Sequence, residues 1–179
     1  EASPRWQVKR PVTEAITGLD LVEMMIRLAA GEKLPIEQKD VQRNGWAIEC
    51  RINAEDPFRN FLPSTGRLVR FQTPHQTMFQ ANTADLLGVR VDTGVQDGGE
   101  IPMFYDSMIA KLIVHGKDRN DAIAKMREAL NGFVIRGISS NIPFQAALLA
   151  HPKFVTGEFN TGFIAEHYAH GFRAEDVPH

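Results

Sequence analysis

Apolar residues recur with helical spacing in three parts of the chain. One stripe follows Asp20, a second follows Asp118 or Asn120, and a third follows Asn141. The three stripes consist of Val22, Met25, Ile26 and Ala29; of Ala122, Ile123, Met126, Ala129 and Leu130; and of Phe144, Ala147 and Leu148. Spacings of three and four residues place each set on one face of an α-helix, and the preceding polar residues can cap it. The pattern predicts three amphipathic helices and a last short helix over residues 161–168.

Other apolar runs predict strands in the middle of the chain. These strands cover residues 48–52, 66–71, 89–92 and 108–114, with glycines between them as turns. The last run is almost continuously apolar, which is typical of a strand at the centre of a sheet. Residues 1–12, broken by two prolines, are predicted to be extended, and residues 72–87 are assigned no element.

Composition and charge narrow the class of protein. The 179 residues are 43% hydrophobic and 23% charged, which is typical of a globular protein with a core. The net charge of −2, without a long basic block, argues against a nucleic-acid partner, and the apolar runs are too short to cross a membrane. The single cysteine, Cys50, excludes an internal disulfide, and the six histidines show no metal-ligand spacing.

Arg51 is the strongest candidate for a functional side chain. In the predicted strand, Ile48, Cys50 and Ile52 share one face, and Glu49, Arg51 and Asn53 share the other. The strand must end at Asp56-Pro57, because proline cannot donate to a sheet. Arg51 is then a fixed cation suited to an oxyanion. The alternative is an edge-strand arginine paired with Glu49 or Glu55.

The run Ile48-Glu49-Cys50-Arg51-Ile52-Asn53-Ala54-Glu55-Asp56-Pro57 resembles the signature of biotin carboxylase, the ATP-dependent enzyme that carboxylates biotin on nitrogen. Residues 1–14, Glu-Ala-Ser-Pro-Arg-Trp-Gln-Val-Lys-Arg-Pro-Val-Thr-Glu, resemble that family's active-site segment, usually Glu-Met-Asn-x-Arg-x-Gln-Val-Glu-His-Pro-Val-Thr-Glu. The runs Thr17–Val22 and Tyr105–Leu112 extend the likeness, which reaches about residue 168.

The resemblance implies an α+β fold in three segments. Residues 1–36 would be the end of an ATP-grasp domain, and residues 169–179 a linker or tail. Residues 37–168 would form the biotin carboxylase C-terminal domain, with a mainly antiparallel sheet and flanking helices.

The resemblance also implies roles for individual residues. Glu1 matches a metal ligand; Arg5, Gln7 and the backbone of Val8 match bicarbonate-binding positions; Arg51 matches the arginine that stabilises the biotin enolate; Ile138 matches the adenine pocket; and Arg90 and Asp106 match positions near a subunit interface. Arg5 and Arg51 would thus be the catalytic residues. Planar arginine forks suit bicarbonate and a developing ureido oxyanion, and a carboxylate suits Mg²⁺. Without the resemblance, each of these residues would have an ordinary interpretation: Glu1 as a solvated terminal glutamate, Gln7 as a surface amide and Asp106 as a turn aspartate.

The first ten residues depart from the family pattern. Lys9 occupies the position of the glutamate thought to deprotonate bicarbonate, and Arg10 replaces the adjacent histidine. A protonated lysine attracts an anion but cannot accept a proton from it. These departures cluster at the N-terminus, which favours an altered terminus over a drifted, inactive relative.

The remaining expectations concern the protein to which this chain contributes. Residues 88–94 and 98–102 resemble acyl-CoA carboxylase α subunits, above all those for propionyl-CoA, with the acetyl-CoA and methylcrotonyl-CoA enzymes as close alternatives. ATP, Mg²⁺ or Mn²⁺, and carrier-bound biotin would be its cofactors and substrate. Its partners would be a biotin carrier domain beyond His179, a carboxyltransferase subunit and, by self-association, a second copy, in the bacterial cytoplasm or the mitochondrial matrix.

The chain has no glycine-rich phosphate loop, and it begins inside the resembling segment. We therefore expect the isolated chain to be inactive. The alternative function is a non-catalytic assembly or interaction domain. Another ATP-grasp ligase is less favoured, because the Arg51 run lies outside the shared ATP-grasp core.

Overall fold

The computed structural model describes residue 7 and residues 9–77, 88–102 and 106–178. In this part of the chain the α-helices are α1 (Arg10–Thr17), α2 (Leu21–Ala29), α3 (Arg119–Asn131), α4 (Ile142–Ala150), α5 (Pro152–Thr156) and α6 (Phe163–His167). The strands are β1 (Trp46–Asn53), β2 (Glu55–Asp56), β3 (Leu62–Pro63), β4 (Gly66–Arg67), β5 (Arg70–Gln72), β6 (Gly88–Thr93), β7 (Glu100–Ile101), β8 (Met108–Gly116) and β9 (Val134–Arg136). Short 3₁₀ helices cover Gln38–Asp40, Pro57–Arg59 and Ala174–Asp176.

The strands form one three-stranded sheet and three two-stranded pairs. The sheet has the order β1-β8-β6, and the pairs β2-β3, β4-β7 and β5-β9 are antiparallel. β8 is the central strand, as its apolar run predicts, and its residues from Ile109 to Val114 are buried apart from Lys111. Helices together with antiparallel pairs confirm the predicted α+β class.

The chain divides into two compact units. The first contains residues 1–49, 76–90 and 113–125, and the second contains residues 50–75, 91–112 and 126–179. The segments predicted from the sequence, 1–36, 37–168 and 169–179, remain predictions.

In the first unit, α1 corrects the extended conformation predicted for residues 1–12 where the two overlap, at residues 10–12. Pro11 lies in the first turn of α1, where a missing N–H costs nothing, and Gly18 ends the helix in the left-handed conformation (φ 71°). α2 begins as predicted, because the Asp20 carboxylate accepts a hydrogen bond from the backbone N–H of Glu23.

The predicted strand over residues 66–71 is two short strands. The N–H of Leu68 donates to Gly99, whereas the N–H of Val69 donates to Arg136. The backbone therefore changes partner from β7 to β9 at this point. Leu68 is fully buried and Val69 is 67% exposed, so neighbouring side chains still alternate between the two faces.

The stripe predicted for α3 is confirmed, whereas that of α4 is confirmed at Phe144 and Ala147 but not at Leu148, which is half-buried while Leu149 is buried. Asp118 caps α3 through the N–H of Asp121, and the whole predicted stripe of α3 is buried. Thr161 was predicted to cap the last short helix, but the residue that precedes α6 as its N-cap is Gly162. In the second unit Phe144 of α4 packs edge-on against Phe61, Tyr168 and Phe172, which closes a small aromatic core.

Candidate functional site

Arg51 lies in β1 with an exposed side chain. Within the described residues its guanidinium forms no ion pair. The pairing with Glu55 that a surface interpretation would favour is not formed, because the Glu55 carboxylate accepts hydrogen bonds from Ser107 Oγ at 2.7 Å and Asn53 Nδ2 at 3.2 Å. The cation is therefore available to an external anion.

Two side-chain amides hold the backbone of Arg51. The Arg51 carbonyl accepts hydrogen bonds from Asn141 Nδ2 at 3.0 Å and from Gln145 Nε2 at 2.6 Å. Asn141 also accepts from the N–H of Asn53 through Oδ1 at 2.9 Å, and its own N–H donates to the Asn53 carbonyl at 3.2 Å. Asn141 is only 8% exposed. We call Asn141 and Gln145 the amide clamp.

Arg90 belongs to a second polar cluster, in the first unit. Its guanidinium lies 3.3 Å from Oε2 of Glu14, and Arg10 Nε lies 3.6 Å from Oε1 of the same carboxylate. Glu14 also accepts from the N–H of Leu21 at 3.1 Å, and its side chain is 11% exposed. One nearly buried carboxylate thus holds two arginines and the start of α2.

We expect Glu14→Gln to lower the free energy of unfolding by about 1–3 kcal/mol, because it removes a partly buried charge bonded to two cations. Urea denaturation of the protein measures the change. Glu23→Gln is the matched control: Glu23 pairs with Arg27 at 2.6 Å, but both side chains are about half exposed. Exposed pairs contribute at most about 1 kcal/mol. Equal losses in the two variants would contradict a structural role for Glu14.

The other predicted site residues are only partly described. Glu1, Arg5 and Val8 lie outside the described residues. Gln7 and Lys9 are exposed before α1, where the Gln7 carbonyl accepts from the N–H of Arg10.

Two further predicted positions lie in the second unit. Asp106 is exposed and caps the start of β8 through the N–H of Met108. Ile138 is half-buried in the bend between β9 and α4, three residues before Asn141 of the amide clamp. Their interface and adenine-binding roles remain predictions.

Two histidines meet in the second unit, which the sequence spacing did not indicate. The rings of His151 and His167 are 4.6 Å apart, and both contact Phe163. Burial lowers the pKa of His151, and the neighbouring His167 and Lys153 lower it further. No group of three His, Cys, Asp or Glu side chains suited to a metal occurs among the residues that the structure describes.

Sequence reasoning did not assign Glu14, Asn141 and Gln145 to a site. Glu14 carries one usable signal, since it stands four residues after Arg10 in a helix. Asn141 was predicted to be a helix cap, and it does precede α4, but its side chain makes no cap hydrogen bond. Nothing in the local sequence indicates that both amides reach a strand some 90 positions away.

Residues 49–166 match the family described as the biotin carboxylase C-terminal domain, and residues 1–37 match the carbamoyl-phosphate synthase L chain ATP-binding domain. The propionyl-CoA carboxylase alpha chain of Ruegeria pomeroyi is 50% identical over 188 residues, which cover 99% of this chain and 28% of the relative. Biotin carboxylase 1 of Bacillus subtilis is 50% identical over 164 residues, which cover 92% of this chain and 34% of the relative. The human mitochondrial propionyl-CoA carboxylase alpha chain is 47% identical, covering 97% and 23%. The chain thus spans about a quarter to a third of these relatives.

Solved structures of biotin carboxylase domains also resemble this chain. The biotin carboxylase domain dimer of Hydrogenobacter thermophilus 2-oxoglutarate carboxylase, in complex with MgADP, ADP and bicarbonate, superposes with a TM-score of 0.84 at 42% identity. The superposed region covers 92% of this chain and 34% of the Hydrogenobacter chain. The biotin carboxylase subunit of pyruvate carboxylase has a TM-score of 0.83 at 41% identity, with coverage of 92% and 34%. Among the described residues, no helix has the length and apolar character needed to cross a membrane.

Proposed function

The chain belongs to the biotin carboxylase C-terminal domain family, which confirms the resemblance, and on this premise we propose that it is part of an enzyme that uses ATP and bicarbonate to carboxylate biotin. The observation that carries the proposal is the placement of Arg51. Its backbone carbonyl is fixed by two amides, its side chain is exposed, and the nearby carboxylate of Glu55 is bonded elsewhere. A preorganised cation of this kind stabilises an oxyanion without reorganising during the reaction.

In this proposal, Arg51 holds the ureido oxygen of biotin as negative charge moves onto it, while the ureido nitrogen gives its proton to the phosphate released when the activated bicarbonate breaks down to carbon dioxide. Arg5, Gln7 and the Val8 backbone bind bicarbonate, and Glu1 contributes to the site of a divalent cation. MgATP, when bound, supplies the phosphoryl group that activates bicarbonate.

The parent protein proposed here is an acyl-CoA carboxylase α subunit acting on propionyl-CoA, supported by relatives of that name at 47–50% identity. It would work with a biotin carrier domain and a carboxyltransferase subunit, and a dimeric relative favours self-association. Relatives from bacteria and from mitochondria support the cytoplasm or the mitochondrial matrix as its location.

The proposal is tested by ATP-dependent transfer of labelled bicarbonate to free biotin. The full-length carboxylase that contains this chain should transfer label to biotin. Residues 1–179 alone, once circular dichroism has shown that they are folded, should transfer none, because the chain has no phosphate-binding loop. A full-length protein that binds nucleotide but fixes no label would overturn the catalytic proposal.

Lys9 favours a second candidate function, a non-catalytic assembly or interaction domain. The family places a glutamate at this position, and lysine cannot act as the same base. Under this alternative, the segment before α1 would contact another subunit and perform no chemistry.

A further inference from the structure

We propose that Asn141 and Gln145 are positioning residues that set the direction of the Arg51 side chain for the carboxylation of biotin. The inference rests on the proposed function of Arg51 and extends it to two residues that touch only its backbone. Both amides donate to one carbonyl oxygen, at 3.0 and 2.6 Å. The residues that carry out and support the chemistry would therefore come from β1 and from the start of α4.

The position of β1 explains why its backbone needs partners. In the order β1-β8-β6, β1 lies at one edge of the described sheet. Alternate residues of a strand direct their N–H and C=O groups to the same side, so the backbone groups of Arg51 and Asn53 face the same edge. Three of these edge groups are bonded by the amide clamp: the Arg51 carbonyl, the Asn53 N–H and the Asn53 carbonyl each have a partner in Asn141 or Gln145.

The clamp residues are held rigidly by their own element. Asn141 directly precedes α4, and Gln145 stands one helical turn later, with its N–H bonded to the Asn141 carbonyl at 3.1 Å. Residues four apart share one face of a helix, which brings both amides to the same carbonyl. An asparagine before a helix usually caps it, but here the side chain bonds the strand instead.

A second set of contacts restrains the strand just beyond Arg51. Asn53 Nδ2 and Ser107 Oγ both donate to Glu55 Oε1, and the N–H of Ala54 donates to the Ser107 carbonyl at 2.7 Å. The backbone from Arg51 to Glu55 is thereby fixed on both sides. The Arg51 side chain therefore extends from a backbone that is held in place, and removing the amide clamp would let that backbone move.

The test is a double-mutant cycle in the full-length carboxylase, with kcat/KM for biotin as the readout. Gln145→Ala should lower kcat/KM for biotin about tenfold and leave KM for ATP unchanged, because small misplacements of a catalytic group are costly. In the Arg51→Lys background, which keeps a charge but loses the planar fork, the same change should cost less than about twofold. Asn141→Asp, which keeps the acceptor for Asn53 and loses the donor to Arg51, should behave like Gln145→Ala.

Gln72→Ala, an exposed amide in β5, is the matched control and should leave turnover unchanged. The same tenfold loss from Gln145→Ala in both backgrounds would show a merely structural role and overturn the inference, as would wild-type turnover in Gln145→Ala and Asn141→Asp. Wild-type turnover in Arg51→Lys and Arg51→Ala would instead overturn the proposed function of Arg51. Thermal unfolding of each variant separates loss of positioning from loss of fold.

Discussion

Arg51→Ala in the full-length carboxylase is expected to lower the rate of biotin carboxylation about a hundredfold to a thousandfold, while the fold stays intact. Removing one preorganised donor from an oxyanion site has an effect of this size. The side chain is exposed and forms no ion pair within the described residues, so its removal breaks no such contact. Transfer of labelled bicarbonate to free biotin measures the rate, and circular dichroism measures the fold.

The control for Arg51→Ala is Arg59→Ala. Arg59 is also exposed, belongs to the same unit and has no ion pair among the described residues, so the net charge changes equally. We expect Arg59→Ala to keep turnover within about twofold, since isolated surface charges contribute little. If Arg51→Ala turned over biotin as fast as Arg59→Ala, Arg51 would not be the oxyanion donor.

The sequence predicted the elements whose patterns are local. The buried stripe of α3 and the apolar run of β8 needed only periodicity, and the Asp20 cap needed only a side chain three residues from its donor. α1 was missed because Pro11 was interpreted as a break, although proline is favoured in the first turn of a helix. β4 and β5 were predicted as one strand because the exchange of partners at Leu68 and Val69 depends on two distant segments.

The candidate site shows the same limit. Alternation along β1 predicted that Arg51 would lie on the polar face, and its exposure agrees. The fixing of its carbonyl could not be predicted, because Asn141 and Gln145 meet it through tertiary packing and α4 looks locally like an ordinary capped helix. The hydrogen bonding of the Glu55 carboxylate could not be predicted either, because its partner Ser107 lies 52 positions away in the sequence.

Lys9→Glu is expected to raise biotin-dependent ATP cleavage by the full-length protein about a hundredfold if the chain is an impaired carboxylase. The change restores the carboxylate that the family uses as a base toward bicarbonate, and a positioned general base contributes about 10²–10⁴ in rate. The Lys9 side chain is exposed and makes no hydrogen bond to the helix that follows. A glutamate there would lie at the positive end of the α1 dipole, so the protein should lose no stability.

Lys33→Glu is the matched charge reversal for this experiment, because Lys33 is exposed in the same unit and forms no ion pair among the described residues. It should leave ATP cleavage unchanged. A rise with Lys9→Glu alone would identify position 9 as the site of the missing base. Equal rates in both variants and the wild type, together with altered subunit assembly in Lys9→Glu, would favour the assembly domain. The Lys9→Glu substitution thus distinguishes the biotin carboxylase from the non-catalytic assembly domain, because the two proposed functions predict different rates of ATP cleavage for it.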